Sequence, residues 1–141
     1  MTDRTGGCAC GAIRFNITAP LMGVGACHCT DCQKASGGGP NYVALAPNNG
    51  FKVTRGAAKL YVTTGDEGRT ATRAFCPDCG TPLWSTPAQA PFTPVKLGAL
   101  DDNSDLAPAM HIYVSSAAPW HLLGEGLPSF AKMPPFPPPD G

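Results

Sequence analysis

The sequence carries few charges. Only 14% of its 141 residues are charged, whereas about a quarter is usual in a soluble domain. Ten basic residues balance ten acidic ones, so the formal net charge is zero. A nucleic-acid-binding protein usually presents a basic patch or stripe, and the balanced charge therefore argues against that class of partner.

Long apolar runs are also lacking. No stretch approaches the roughly 18 apolar residues that a membrane span needs. The first residues are polar, and no apolar segment typical of a signal peptide follows them. We therefore expect no membrane partner and a cytoplasmic location, where a reducing environment disfavours disulfides.

Long helical periodicity is missing as well, whereas 17 glycines and 16 prolines supply many turns. Short alternating segments between these turns predict a mainly β chain. The predicted strands cover residues 12–17, 41–46, 51–55, 59–63, 69–75, 83–85, 95–99 and 111–115. One helical turn is expected over 32–36, ended by the glycines at 37–39. Residues 86–94 contain three prolines and are predicted to form an irregular loop.

Cysteine is the residue type in which this chain is rich. Seven cysteines form three groups along the sequence: Cys8 and Cys10, then Cys27, Cys29 and Cys32, then Cys76 and Cys79. An odd number of thiols cannot all pair within one chain. Such tight spacing favours metal ligands over disulfides, because one turn can direct several thiolates to the same point.

The spacing predicts that seven thiols divide into four and three. The first and last pairs fit a closed structural zinc site, if the strand after Cys10 and the strand before Cys76 are neighbours in a sheet. The triplet Cys27, Cys29 and Cys32 then offers three ligands and leaves a fourth position open, as in a catalytic zinc site.

Other divisions remain open from spacing alone. One structural zinc could leave the other thiols free, or Cys76 and Cys79 could pair with two cysteines of the central triplet. His28 is a further candidate ligand that would close the central site. Alternation in an extended segment directs the His28 side chain away from its two cysteine neighbours, which argues against that ligand role.

Three thiolates around Zn²⁺ leave a net charge near −1 and a weak Lewis acid. Such a site suits a soft thiol substrate better than an activated water, and it would favour the nucleophilic thiolate form. Three cations are candidates for holding an anionic substrate: Lys34, Arg69 and Arg73. The loop over 36–39 is a candidate for offering backbone N–H groups to a carboxylate.

The other two histidines and both tryptophans are expected to have structural roles. His111 is expected to be a satisfied strand residue and His121 to be exposed. Trp84 and Trp120 are expected in the core.

The three cysteine motifs resemble those of the glutathione-dependent formaldehyde-activating enzyme family, also called the CENP-V/GFA domain. They read Gly7-Cys8-x-Cys10-Gly11, then Cys27-His28-Cys29-x-x-Cys32, then Cys76-x-x-Cys79-Gly80-Thr81. The resemblance continues through Gly98-x-Leu100-Asp101-Asp102, His111-Ile112, Trp120 and Leu127-Pro128-x-Phe130. Lys34 stands where family members often have an arginine.

The resemblance implies a Mss4-like β-tent of short antiparallel strands pinned by zinc, formed by residues 1–133 and followed by a Pro-rich tail over 134–141. It implies a structural zinc on Cys8, Cys10, Cys76 and Cys79. It also implies a second, more labile and catalytic zinc on Cys27, Cys29 and Cys32.

The family's named activity is the formation of S-hydroxymethylglutathione, classed as a carbon–sulfur lyase. We therefore predict a zinc-dependent carbon–sulfur lyase that adds glutathione or a similar thiol to formaldehyde or another small carbonyl. We expect a monomer or homodimer. The alternative is a non-catalytic, zinc-stabilised Mss4-like binding module.

Overall fold

The computed structural model describes residues 3–65 and 68–134. Within these ranges the chain forms ten short strands and one α-helix. The strands are β1 Arg4–Gly7, β2 Arg14–Ile17, β3 Gly23–Cys27, β4 Asn41–Pro47, β5 Phe51–Arg55, β6 Lys59–Thr64, β7 Thr70–Phe75, β8 Pro82–Pro87, β9 Phe92–Lys96 and β10 Met110–Ile112. The helix α1 covers Thr30–Ser36, and single 3-10 turns cover Asn48–Gly50, Leu97–Ala99 and Val114–Ser116.

The strands form two sheets. The smaller has the order β1-β2-β5 and is antiparallel throughout. The larger has the order β10-β3-β4-β9-β8-β7-β6. Its strands are antiparallel except for β10, which runs parallel to β3 and brings a late segment of the chain beside the central cysteines.

The hydrophobic core joins both sheets. Phe15 and Ile17 alternate with half-exposed residues along β2 and are fully buried, because one face of this short strand covers the core. The Phe15 ring lies 5.4 Å from the Phe51 ring and 6.1 Å from the Trp84 ring, measured between centroids. Leu83 and Val95 complete the contact from the larger sheet.

The predicted mainly β class is confirmed, and the helix ends at Ser36 as predicted but begins two residues earlier than predicted, at Thr30. The loop predicted over 86–94 is shorter in the structure and covers 88–91, because β8 extends to Pro87 and β9 begins at Phe92 and includes Pro94. A proline is tolerated in β9 because this strand pairs with β8 at a single residue pair, Trp84 with Val95. The edge of β9 that faces β8 therefore needs few backbone N–H donors.

Two further differences concern the chain ends. Strand β1 was not predicted, and the strand expected over 111–115 ends at Ile112, where a left-handed Tyr113 and a 3-10 turn follow. The Pro-rich tail proposed for 134–141 falls outside the described residues from 135 onward, so the boundary after 133 stays a prediction. No helix in the described part of the chain is long and apolar enough to cross a membrane.

Candidate metal centres and the adjoining groove

Four cysteines from two distant segments of the sequence meet at one corner of the fold. Cys8 and Cys10 follow β1, and Cys76 and Cys79 follow β7. The Sγ atoms of Cys8 and Cys10 lie 3.6 Å apart, and those of Cys10 and Cys76 lie 3.7 Å apart. All four Sγ atoms lie within 4.8 Å of one another, so a single ion can reach them all.

The condition on which the sequence argument placed this cluster is wrong. Strand β2, after Cys10, belongs to the smaller sheet, whereas β7, before Cys76, belongs to the larger. Two turns bring the thiols together instead of strand pairing. Each turn places a glycine in the left-handed region, Gly11 with φ 81° and Gly80 with φ 80°.

Backbone N–H groups surround the sulfurs of this cluster. Ile13 N lies 3.2 Å from Cys8 Sγ, and the amides of Asp78 and Cys79 each lie 3.4 Å from Cys76 Sγ. A hydrogen bond from Thr81 lowers the pKa of Cys79 to about 5. Such donors stabilise thiolates, the form that binds zinc, and an all-sulfur donor set within 4.8 Å fits that ion.

The second cluster is built around the start of α1. Cys27 ends β3, Cys29 is the N-cap residue of α1, and Cys32 lies in its first turn. The Cys29 sulfur accepts a hydrogen bond from Cys32 N at 3.2 Å, so the cap itself places two of the thiols together. The three Sγ atoms lie within 4.8 Å of one another; Cys27 and Cys32 are buried and Cys29 is partly exposed.

Hydrogen bonding among the three thiols favours the thiolate form of Cys32 and the protonated form of Cys27. Hydrogen bonds from Cys27 and Cys29, together with the Arg73 guanidinium, hold the pKa of Cys32 well below its usual value. Hydrogen bonding with Cys29 and Cys32 raises the pKa of Cys27. Arg73 Nη2 lies 3.8 Å from Cys32 Sγ. A divalent cation would take the place of the remaining thiol protons, so this donor set also fits zinc.

A groove of about 490 Å³ adjoins the second cluster. Four cations line it: Lys34 on α1, Lys59 on β6, Arg73 on β7 and Lys96 on β9. Apolar surface comes from Leu60, Tyr61, Phe75 and Trp84. No carboxylate lines it within residues 3–65 and 68–134, so the groove is suited to an anionic ligand with an apolar part.

A family comparison covers the segments that carry both clusters. The family model described as "Glutathione-dependent formaldehyde-activating enzyme" matches residues 3–116. The chain belongs to this family. The match contains all three cysteine motifs and every cation of the groove.

Curated relatives carry the family's name. A Halomonas elongata protein is 32% identical over 83 residues, which cover 56% of this chain and 53% of the relative. A Sordaria macrospora protein is 35% identical over 74 residues, covering 52% of this chain and 30% of the relative. The chain thus matches about half of the length of the first relative and less of the second. A crystal structure of a Rhodobacter sphaeroides protein has the same fold, with a TM-score of 0.56, 24% identity and coverage of 72% of this chain and 92% of that one.

In this family member His28 points away from the three thiols, as alternation predicted. Its Nδ1 lies 2.9 Å from His121 Nδ1, and its Nε2 lies 2.9 Å from His111 Nδ1. Both ring nitrogens are therefore occupied by other imidazoles. His111 is buried in β10 as expected, whereas the prediction that His121 is exposed is wrong, because the ring packs against His28.

Two other expectations for this region are wrong. The N–H groups of Gly37 and Gly38 both bond to Gln33 O, at 3.0 and 2.8 Å, so they end the helix and cannot bind a carboxylate. Trp120 is 66% exposed and lies over the imidazole of His121, whereas Trp84 packs against the core as predicted.

Two cations that had been candidates for the substrate line the groove, Lys34 and Arg73, whereas Arg69 does not. No local sequence pattern predicted that Lys59 and Lys96 would line the groove. Their importance depends on strand pairing, which brings β6 and β9 to the same groove as the central cysteines.

Proposed function

We propose that this protein is a zinc-dependent carbon–sulfur lyase that adds an anionic thiol, glutathione or a similar one, to formaldehyde or another small carbonyl. The observation that carries the proposal is a three-thiol cluster beside a cationic groove to which the described residues contribute no carboxylate. Membership of the family supports glutathione as the first thiol to be tested.

Each cluster has its own role in this proposal. Cys8, Cys10, Cys76 and Cys79 would hold a structural zinc, and Cys27, Cys29 and Cys32 a second zinc with one position open to substrate. When bound there, the metal supplies a lower pKa for a thiol ligand and so favours the nucleophilic thiolate. The three cysteines are the proposed catalytic metal ligands.

The groove would bind and orient the rest of the thiol substrate. Glutathione has two carboxylates, and Lys34 and Lys59 lie on the exposed side of the groove where such groups can pair with them. Arg73 reaches both the groove and Cys32, so it links the site of anion binding to the site of sulfur chemistry. A neutral or cationic thiol would lose these contacts.

A binding module is the second candidate. Leu60, Tyr61 and Val62 follow one another on β6, which is an edge strand of the larger sheet, and they are 60–63% exposed. An exposed apolar edge favours pairing with another chain. In this case glutathione would neither bind at the central cluster nor be turned over.

The decisive experiment replaces Cys29. Cys29→Ser removes one thiol but keeps a side chain that caps helices well, so the fold should persist. With glutathione and formaldehyde, turnover should fall by more than the roughly 10–100-fold that loss of an outer-shell partner costs. Thr30→Ser, at the exposed first position of the same helix, should retain wild-type turnover.

Isothermal titration with glutathione separates the two candidates. The lyase predicts binding that disappears in Cys29→Ser and after mild chelation. Full activity of Cys29→Ser would refute the assignment of the central site. Absence of both binding and turnover in the zinc-loaded wild type would favour the binding module.

A further inference from the structure

Lys96 occupies an unusual environment for an ammonium group. It lies on β9 with its side chain half-buried in the groove, and burial lowers its pKa to about 8 despite the neighbouring thiols, which oppose the shift. Buried lysines normally pair with carboxylates. Among the residues that the structure describes, none forms an ion pair with Lys96.

The neutral amide of Asn41 holds Lys96 in place. Lys96 Nζ donates to Asn41 Oδ1 at 2.5 Å, and Asn41 Nδ2 lies 3.7 Å from Cys32 Sγ. Because an ammonium only donates, the amide oxygen must face Lys96 and the amide nitrogen must face the sulfur. The side chain of one buried asparagine thus fixes the ammonium beside the three-thiol cluster.

An ammonium held in this way has N–H donors that Asn41 does not use. Lysine has three N–H donors, and Asn41 uses one of them. The other two are available to a ligand in the groove. Arg73 is the other cation close to Cys32, but its guanidinium stays protonated and cannot release a proton. Lys34 and Lys59 also line the groove but are exposed, whereas Lys96 is half-buried and held by Asn41. Lys96 is therefore the fixed amine of the groove that can both stabilise an oxyanion and protonate it.

We propose that Lys96 is a catalytic residue that donates a hydrogen bond and then a proton to the oxygen of the small carbonyl substrate. This inference rests on the proposed function. The substrate thiolate sulfur attacks the carbonyl carbon and forms the C–S bond. The π electron pair of the C=O bond moves to oxygen, which takes a proton from Lys96 Nζ.

The step is balanced without an oxidant or reductant. One thiol and one carbonyl give one hydroxyalkyl thioether. The proton that the thiol loses on ionising enters solvent, and solvent later returns a proton to the Lys96 amine. An ammonium suits this role, because it donates hydrogen bonds to the developing oxyanion and carries a proton that it can transfer.

Two other roles would place a lysine here and must be distinguished. Lys96 could bind a carboxylate of the thiol substrate, in which case its loss would weaken thiol binding. It could instead only neutralise the three thiolates, in which case its loss would release zinc. Neither role predicts a defect confined to the carbonyl step.

The test uses the zinc-loaded full chain and Lys96→Met. We expect kcat with glutathione and formaldehyde to fall by about 10²–10⁴-fold, the usual range for loss of a proton donor. The Kd for glutathione by isothermal titration and the zinc content by native mass spectrometry should remain at wild-type values. Lys52→Met, on the exposed side of the smaller sheet, is the matched control and should leave kcat unchanged.

Two conservative variants guard against a folding defect. Lys96→Gln can keep the contact with Asn41 but carries no charge, and Lys96→Arg keeps the charge but holds its proton too tightly. We expect Lys96→Gln to be as impaired as Lys96→Met and Lys96→Arg to recover part of the rate.

Each remaining outcome overturns the inference. Wild-type kcat in Lys96→Met and Lys96→Gln would exclude the proton-donor role. Weaker glutathione binding with unchanged kcat would make Lys96 a carboxylate ligand, and loss of zinc would make it a charge neutraliser. If the wild type itself lacks turnover, the proposed function fails, and this inference fails with it.

Discussion

Gly6 sets the distance between the smaller sheet and the turn that follows β9. It forms a bridge with Leu100. A Cβ atom at position 6 would lie 2.4 Å from Ala99 O and 2.6 Å from Phe15 Cζ, closer than such contacts occur. The ring is fully buried and the carbonyl belongs to the backbone, so neither can move aside easily.

We therefore expect Gly6→Ala to lower the free energy of unfolding by about 1–3 kcal/mol, the usual cost of overpacking. Gly98→Ala is the control, because nothing lies within 4 Å of a Cβ at that position. Chemical denaturation of both zinc-loaded variants measures the difference. Equal stability of Gly6→Ala and the wild type would show that the contact relaxes without cost.

The two cysteine clusters could be predicted from sequence because each group of cysteines lies within a single turn. Lys96 and Asn41 could not. Asn41 begins β4 and Lys96 ends β9, and their contact depends on the pairing of these two strands. No local pattern specifies which of several lysines will face a sulfur cluster, so the groove became visible only in three dimensions.

The three histidines connect elements that are distant in sequence. His111 on β10 contacts His28 between β3 and α1, and His28 contacts His121 in the C-terminal segment. Backbone groups close both ends: Gly124 N lies 2.9 Å from His111 Nε2, and Gly38 O lies 2.9 Å from His121 Nε2. No histidine lines the groove among the described residues, and these contacts hold the loops around the second cluster in position.

The two backbone groups determine every tautomer. Gly124 donates to His111 Nε2, so His111 must be protonated at Nδ1 and donate to His28 Nε2. His28 must then be protonated at Nδ1 and donate to His121 Nδ1, which leaves the His121 proton on Nε2 facing Gly38 O. Burial, followed by the charges of the two neighbouring rings, lowers the pKa of His28, in agreement with a neutral ring.

Long-range ¹H–¹⁵N spectra at neutral pH should therefore show three neutral imidazoles, with Nδ1–H in His28 and His111 and Nε2–H in His121. The ordinary preference of a free imidazole for Nε2–H provides an internal comparison, because two of the three rings should depart from it. A cationic ring, or Nε2–H in His28, would contradict this hydrogen-bond order.

Local sequence determined some elements and not others. Strand β5 has the bounds predicted for it, because an apolar alternation follows a turn at Asn48–Gly50. Strand β1, with the sequence Arg-Thr-Gly-Gly, has no apolar residue and gave no signal. It exists because β2 pairs with it and because its glycines allow close approach to the neighbouring backbone. Such tertiary causes are absent from a reading of adjacent residues.

The four-cysteine cluster joins the two sheets at one corner. Cys8 and Cys10 extend from the smaller sheet, and Cys76 and Cys79 from the larger. An ion at this point would act as a cross-link between them. The three-cysteine cluster lies within one segment, from the end of β3 to the first turn of α1. An ion there would order this local turn but would not connect the two sheets.

The two proposed zinc sites should therefore differ in what their loss does. Native mass spectrometry of the wild type should find two zinc ions per chain, and Cys29→Ser should retain one with little change in Tm. Cys79→Ser should lower Tm strongly, because the cross-link between the sheets is weakened. Its free energy of unfolding should fall by more than the roughly 1 kcal/mol of a typical substitution.

Graded chelation provides the second measurement. The three-ligand site should lose its ion first, without unfolding, and the four-ligand site should lose its ion together with the fold. Thr30→Ser should behave as the wild type in both measurements. One zinc that never becomes two, or a Cys79→Ser variant with unchanged Tm, would contradict the division into four and three thiols.

The separation of the four cysteines along the chain also bears on synthesis. Cys10 and Cys76 are 66 residues apart, which is roughly 3–13 s of translation at about 5–20 residues per second. The first two thiols therefore emerge from the ribosome that much earlier than their partners. The triplet over 27–32 is complete within about a second of its first member. The site proposed for catalysis can thus acquire its ion on the nascent chain, well before the site proposed for structure.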